Sequence, residues 1–258
     1  MSTKIEWTTE TWNPITGCTP ISEGCANCYA KRMANRLRGR CGYPEDDPFR
    51  VTVHEDRWET PFRWRKPRRV FVSSMGDLFH GDVPNDVLHR VFAVICQAKE
   101  HVFQVLTKRP ERMRAYMKEW GRYPTPEMMP WPVPNLWLGV TAENQARADE
   151  RIPVLLDTPA AVRFVSVEPM LEGINLTQAS GGPKNGSVLV WFGGAPDGPR
   201  IHWVICGGET GPGARTMDPA WARSLRDQCG AAGVPFFFKE WAGGREMEPG
   251  EMPREYPK

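Results

Sequence analysis

The sequence lacks several things, and each lack removes a class of protein. No apolar run approaches the ~20 residues needed to span a bilayer. The first ten residues are polar and carry no apolar stretch of the kind that directs secretion. A cytoplasmic protein without a membrane anchor is the expectation. No charge sign dominates either: 33 Lys and Arg against 31 Asp and Glu leave +2 over 258 residues. Charged residues at 25% and hydrophobic ones at 40% are ordinary for a folded domain, which excludes global disorder. A disulfide framework is also missing. The 7 cysteines are odd in number and unevenly spaced, with three crowded into the eleven positions from Cys18 to Cys28. In a chain without an export signal, that favours metal ligation over cross-links.

What the sequence has is a repeated alternation of short apolar runs and amphipathic stretches. Strands are expected at residues 70–74, 102–106, 136–140, 162–167, 203–206 and 234–238, with a further one around 5–13. Helices are expected at 25–38, 84–99, 110–120, 144–156 and 219–232. Asn85 or Asp82 beside Pro84, and Asp218 before Pro219, read as N-caps with proline in the first turn. Strands alternating with helices mean a parallel sheet with crossovers, so the fold class is α/β. The favoured architecture is a complete or partial (β/α) barrel of one domain, residues 1–243; an open doubly wound sheet is the alternative. Two stretches break the repeat as insertions, 41–67 and 180–200, the latter with a short hairpin around 188–192. The polar tail, 244–258, is expected to fray.

Six apolar runs exit into polar residues: Asp77, Thr107 to Arg109, Thr141 with Glu143, Glu168, Gly207 to Glu209, and Lys239 with Glu240. In a barrel those carboxyl ends converge on one mouth, where sites are built. The sharpest signal lies near the first strand. Six residues separate Cys18 from Cys25, and two separate Cys25 from Cys28. Thiolates suit zinc or an iron–sulfur cluster. A structural zinc takes four ligands, and the nearest candidates for a fourth are Cys41 and His54. Three cysteines leave one iron of a [4Fe–4S] cluster without a protein ligand, and S-adenosyl-L-methionine is the cofactor for which such an opening matters most.

The block Trp12-Asn13-Pro14 through Cys28-Tyr29-Ala30, together with Ser166 to Pro169, Gly207 to Arg215 and Phe236 to Lys239, resembles a phage-borne family of three-cysteine proteins related to radical S-adenosylmethionine (radical SAM) enzymes. The resemblance runs from about Ile5 to Trp241. It implies a partial, TIM-like barrel of the radical SAM type, with a [4Fe–4S] cluster on Cys18, Cys25 and Cys28. It also implies an electron donor such as flavodoxin or ferredoxin, and a phage or prophage gene acting in the host cytoplasm. Some similar phage proteins are implicated in radical rearrangement of modified thymine bases, so DNA or a nucleotide-linked compound is the expected substrate class. The sequence departs from the usual radical motif in having six residues, not three, between the first two cysteines, and Asn27 where an aromatic often stands.

Around that centre the remaining candidates each carry two readings. Asp77 could accept from the cofactor's amino group and Ser73 or Ser74 bind its carboxylate, or all three could serve a turn. Lys108 and Arg109 could anchor a carboxylate or phosphate, or be a solvated helix start. Thr141, Glu143 and Asn144 could hold ribose hydroxyls or cap the next helix. Glu168 reads as a base or a ligand for a substrate amine, with a structural role as the alternative, and Lys239 could face the same cavity. Gly207 and Gly208 permit close backbone approach to a ligand, with Glu209 beside them. Cys206 could quench a radical, but reads better as a buried strand thiol; His80 and His202 read as structural. Arg63, Trp64, Arg65, Lys66, Arg68 and Arg69, with further cations from Lys31 to Arg40, interleave charge with aromatics as nucleic-acid surfaces do, or form a solvated face with snorkelling arginines. From Lys31 to Arg69 there are 12 basic and 6 acidic residues. The competing class is a nucleic-acid-binding protein whose cluster or zinc is structural or redox-sensing.

Overall fold

Apolar runs flanked by amphipathic helices have both faces to bury, and they pair here as parallel strands. The computed structural model describes residue 3 and residues 5–122, 130–177, 199–244 and 250–257. The expected hairpin around 188–192 lies outside the described residues. In chain order the strands are β1 (Glu10–Trp12), β2 (Ile15–Thr16), β3 (Thr52–Val53), β4 (Arg69–Val72), β5 (Val102–Thr107), β6 (Leu136–Thr141), β7 (Val162–Val167), β8 (Trp203–Cys206) and β9 (Phe236–Phe238). The α-helices are α1 (Tyr29–Arg36), α2 (Asn85–Gln97), α3 (Pro110–Trp120), α4 (Gln145–Leu156) and α5 (Pro219–Ala232). Seven strands form one parallel sheet in the order β1-β4-β5-β6-β7-β8-β9, while β2 and β3 make a separate antiparallel ribbon. The order follows the chain from edge to edge, and the sheet curls without closing: a partial (β/α) barrel.

Alternation along each strand divides the interior in two. Val72, Val105, Leu138, Val165 and Val204 face the helices and join one continuous core with Leu88, Val91, Met113, Ile152 and Leu225. On the other face, Phe164, Trp203, Ile205 and Phe237 pack with Trp7, Phe71, Leu106, Trp137 and Tyr256. Trp203 is the hub, edge-on to Trp7, Trp137 and Phe237 at centroid separations of 6.2, 6.0 and 6.2 Å. This aromatic plug fills the concave side toward the N-terminal ends of the strands and leaves the C-terminal ends free to form a site.

Several local expectations are corrected. The helix expected over 25–38 is a 3-10 turn, Glu23–Cys25, followed by α1 only from Tyr29. Cys28 holds φ −58°, ψ 120° at the N-cap, so the cysteine loop stays irregular through its third thiol. The strand expected over 70–74 stops at Val72, because Ser73 adopts a left-handed φ of 56°. At α2 the N-cap position is Pro84 itself, with no side-chain cap, whereas Asp218 does cap α5 through Ala220 N at 2.8 Å. The 41–67 insertion contributes β3 to the ribbon. Of the tail, the described residues 250–257 are docked rather than frayed. Phe238 N donates to Pro253 O and Glu255 N to Phe236 O, adding an antiparallel bridge on β9 between Phe237 and Arg254, and Tyr256 closes the plug. Among the described residues no helix is long and apolar enough to cross a membrane.

Candidate active site at the barrel mouth

The strand ends and the cysteine loop enclose a cavity of about 280 Å³. Its walls carry Cys18, Cys25 and Cys28 from the loop, Ser73, Ser74 and Asp77 after β4, and Thr107, Lys108 and Arg109 at the end of β5. Thr141 ends β6, Glu168 follows β7, Gly208 and Glu209 follow β8, and Lys239 follows β9. Phe71 and Leu106 form its floor and belong also to the aromatic plug beneath. Of the strand-exit residues expected at the mouth, all but Glu143, Gly207 and Glu240 line this space; Glu143 and Gly207 lie directly behind its wall, and Glu240 pairs with Lys239 Nζ at 3.0 Å.

The three thiols reach the cavity in different electrostatic settings. Burial and the nearby Asp77 carboxylate push Cys18 up to about 11, against the pull of Arg109. Burial also works against Cys25, but the Lys108 charge and hydrogen bonds from the 21–22 turn bring its pKa below the ordinary thiol value. Cys28 occupies the N-cap position of α1, and its side chain makes no capping hydrogen bond. Among the described residues no three His, Cys, Asp or Glu side chains converge on a point where one ion could sit. Cys41 and His54, the expected fourth-ligand candidates, are elsewhere: Cys41 is exposed, and His54 is buried against Thr16 Oγ1 at 2.8 Å.

Each strand-end carboxylate has its own cation. Asp77 accepts from Arg109 Nη1 at 2.9 Å, Thr107 Oγ1 at 2.7 Å, Lys108 N at 3.2 Å and Phe79 N at 2.9 Å. Glu143, fully buried, accepts from Ser22, from Lys108 Nζ at 3.0 Å and from Arg151 Nη1 at 2.9 Å. Burial would raise its pKa, yet Lys108 and Arg151 hold it below the usual carboxylate value. Glu209 accepts from Arg215 and from Asn27 Nδ2 at 2.7 Å, and the Arg215 hydrogen bonds hold it near 2. Glu168 meets Lys239 Nζ at 3.1 Å and Ser166 Oγ at 3.3 Å. Burial disfavours the Lys239 ammonium, but Glu168 and Glu240 hold its pKa above the ordinary lysine value. Asp77, Glu143 and Glu209 are thus occupied by the chain itself, and Glu168 is the least engaged of the four.

Two glycines are explained by the same packing. A Cβ on Gly24 would stand 2.9 Å from both Glu143 Oε1 and Lys108 Nζ, so any side chain there would push the tips of that pair aside. A Cβ on Gly208 would strike the backbone of Ala242. Ser73 is a different case. Its hydroxyl is buried, has no partner among the described residues, and sits on a left-handed backbone at the cavity wall. Strain and an unsatisfied polar atom at one position mark a place made for something other than folding.

The sequence matches, over residues 2–254, the family described as protein of unknown function, DUF5131. The chain belongs to that family. No curated protein and no solved structure matches it. Every residue of the mouth lies inside the DUF5131 span.

Other expectations resolve as packing. Asn144 caps α4 by accepting from Arg147 N at 2.9 Å. Cys206 is fully buried on the helix side of the sheet, 3.6 Å from Met170 Sδ, and does not reach the cavity. His80 meets Thr19 Oγ1, and His202 accepts from Arg163 N at 3.0 Å. The stretch Arg63 to Arg69 leads into the N-terminal end of β4, the pole opposite the mouth. There Arg63, Arg65 and Lys66 are exposed, Trp64 packs edge-on against His101, and Arg69 stacks 3.8 Å over the Tyr256 ring. The mouth has its own cations in Lys31 and Arg32 of α1. Sequence reasoning missed Arg151, Arg215 and Ser22. Arg151 had a signal: it falls on the buried stripe of α4 with Ala148, Ile152 and Leu155.

Proposed function

We propose that this DUF5131 chain is an iron–sulfur enzyme of the radical SAM type, acting on a DNA or nucleotide-linked substrate such as a modified thymine base. The observation that carries the reading is the opening of all three thiols, Cys18, Cys25 and Cys28, into one cavity at the carboxyl ends of a parallel partial barrel. The donor set fits a [4Fe–4S] cluster: three cysteines ligating three different irons need not meet at a single point, as ligands of one ion must. Held by Cys18, Cys25 and Cys28, such a cluster would supply one-electron reduction to a bound S-adenosylmethionine, and with it radical chemistry on a substrate C–H bond.

The chain's own groups divide the remaining work. Ser73 offers its unpaired hydroxyl to the cofactor's polar end, with Ser74 and Thr141 on the same wall. Glu168 and Lys239 face the cavity from the far side of the sheet, a carboxylate and an ammonium 3.1 Å apart that can exchange their mutual contact for a substrate's polar groups. Lys108 is turned to Glu143 and the cysteine loop, which makes it a support for Cys25 more than a substrate ligand. The aromatic plug excludes water from below, and a duplex base would have to leave its stack to enter.

The test is anaerobic incubation of reduced protein with S-adenosylmethionine, reading 5′-deoxyadenosine. Cleavage is expected, with Ser73→Ala weakening cofactor binding and Lys66→Ala leaving it unchanged. Iron-loaded, reduced protein that neither binds nor cleaves the cofactor contradicts the enzyme reading and leaves a structural or redox-sensing cluster.

A further inference from the structure

The end of β5 puts two consecutive cations on the cysteine loop, and substrate or cofactor binding accounts for neither. Lys108 stands by Cys25. Arg109 does more: its Nη1 donates to Cys18 Sγ at 3.3 Å and to Asp77 Oδ2 at 2.9 Å. Its Nη2 donates to Thr19 O at 3.0 Å and Thr19 Oγ1 at 3.2 Å. The partners are themselves fixed. Asp77 is held by Thr107, Phe79 N and Lys108 N, and Thr19 Oγ1 is 2.8 Å from His80 Nε2. The Arg109 side chain is 15% exposed. An arginine that merely solvates a helix start does not spend both its terminal nitrogens on a thiol, a carboxylate and a carbonyl.

We propose that Arg109, clamped by Asp77 and Thr19, is a positioning residue that fixes the sulfur of Cys18 and raises the reduction potential of the group bound there. The proposal rests on the iron–sulfur reading of the cavity. Taking up one electron adds negative charge that is shared with the ligating sulfurs. A rigid cation hydrogen-bonded to one of those sulfurs stabilises the reduced form more than the oxidised one. Second-layer partners of this kind tune a metal site as strongly as its ligands orient it. Guanidinium geometry is needed: a lysine ammonium is a single point on a flexible stem and cannot hold Cys18, Asp77 and Thr19 together. The arrangement is also asymmetric, since among the described residues no side chain donates a hydrogen bond to Cys28 or Cys25 as Arg109 does to Cys18, the Ser22 hydroxyl 3.7 Å from Cys25 excepted. Asp77, which the sequence suggested for the cofactor, acts through Arg109 in this account.

The experiment is an anaerobic redox titration of the full-length protein with iron and sulfide counted, followed by electron paramagnetic resonance. Arg109→Gln is expected to load iron and to titrate at a more negative midpoint. At the wild-type midpoint its reduced-to-oxidised ratio should fall about tenfold, equal to about 59 mV for one electron. Asp77→Asn and Thr19→Val should shift the midpoint in the same direction by less, and Arg65→Gln should not shift it. An iron-loaded Arg109→Gln with the wild-type midpoint rejects the inference alone. If Arg109→Gln holds no iron, Thr19→Val decides: a shifted midpoint supports the clamp and an unshifted one overturns it. Wild-type protein that loads no iron rejects the iron–sulfur reading, and the inference falls with it.

Discussion

Asp77, Glu143, Glu168 and Glu209 take their cations from Arg109, Lys108 with Arg151, Lys239 and Arg215. Buried pairs of this sort contribute little net stability against an apolar replacement, but losing one partner is costly because the other stays buried and charged. Glu143→Ala leaves Arg151 in that position, 1% exposed, and should cost ~3–5 kcal/mol, read as a lower urea midpoint; a loss within ~0.5 kcal/mol contradicts the pairing. Histidines set a second dependence. Burial lowers His54 and His202 from 6.5 to about 4. Their unfolded forms therefore take up protons first, so stability is complete above about 6.5 and declines as pH falls from there toward 4. His202→Asn, which keeps an acceptor for Arg163 N, should flatten part of that decline in denaturant titrations from pH 7.5 to 4.5; an unchanged slope contradicts it. The cysteine trio was legible because its members are close in sequence. The ion pairs were not, because pairs such as Glu143 with Lys108 are brought together only by the fold.

Among the elements, the strands and helices of the repeat were readable from periodicity, and α3, α5, β7 and β8 fall on their expected bounds. Failures came where tertiary contacts overrode local pattern. The β2–β3 ribbon has two residues per strand, too few for any alternation to register. Cys25 to Arg38 is helix-compatible as a sequence, but the cysteine loop is held open by Cys18 N on Phe49 O and by Asn27 on Glu209. The tail reads as polar, and what it contributes is mostly backbone: Glu255 O accepts from Trp203 Nε1 at 2.8 Å, and Tyr256 lies 5.6 Å from the Trp203 ring. Deleting residues 250–258 should therefore uncover the plug, lowering the melting temperature and increasing binding of a hydrophobic dye. Unchanged melting would contradict the docked tail.

At the scale of the whole molecule the two chemically marked regions sit at opposite poles. The cavity opens at the carboxyl ends of the strands, while Arg63 to Arg69 leads into the amino end of β4, where Arg69 stacks on Tyr256 of the plug. A polymer held by Arg65 and Lys66 therefore does not share a footprint with a base entering the mouth. Reversing both to Glu should reduce any DNA affinity and flatten its salt dependence by about 0.9 per lost phosphate contact on a log–log plot, without changing cofactor cleavage; equal affinities would mark a solvated face. The three thiols are the centre of the proposed chemistry. Its most direct test is iron and sulfide per chain in anaerobically prepared protein, compared with Cys18→Ala, Cys25→Ala, Cys28→Ala and Cys41→Ala. The account predicts about four irons with a brown absorbance in the wild type and in Cys41→Ala, lost in each of the other three. Colourless protein carrying one zinc per chain, or iron retained after all three replacements, would contradict it.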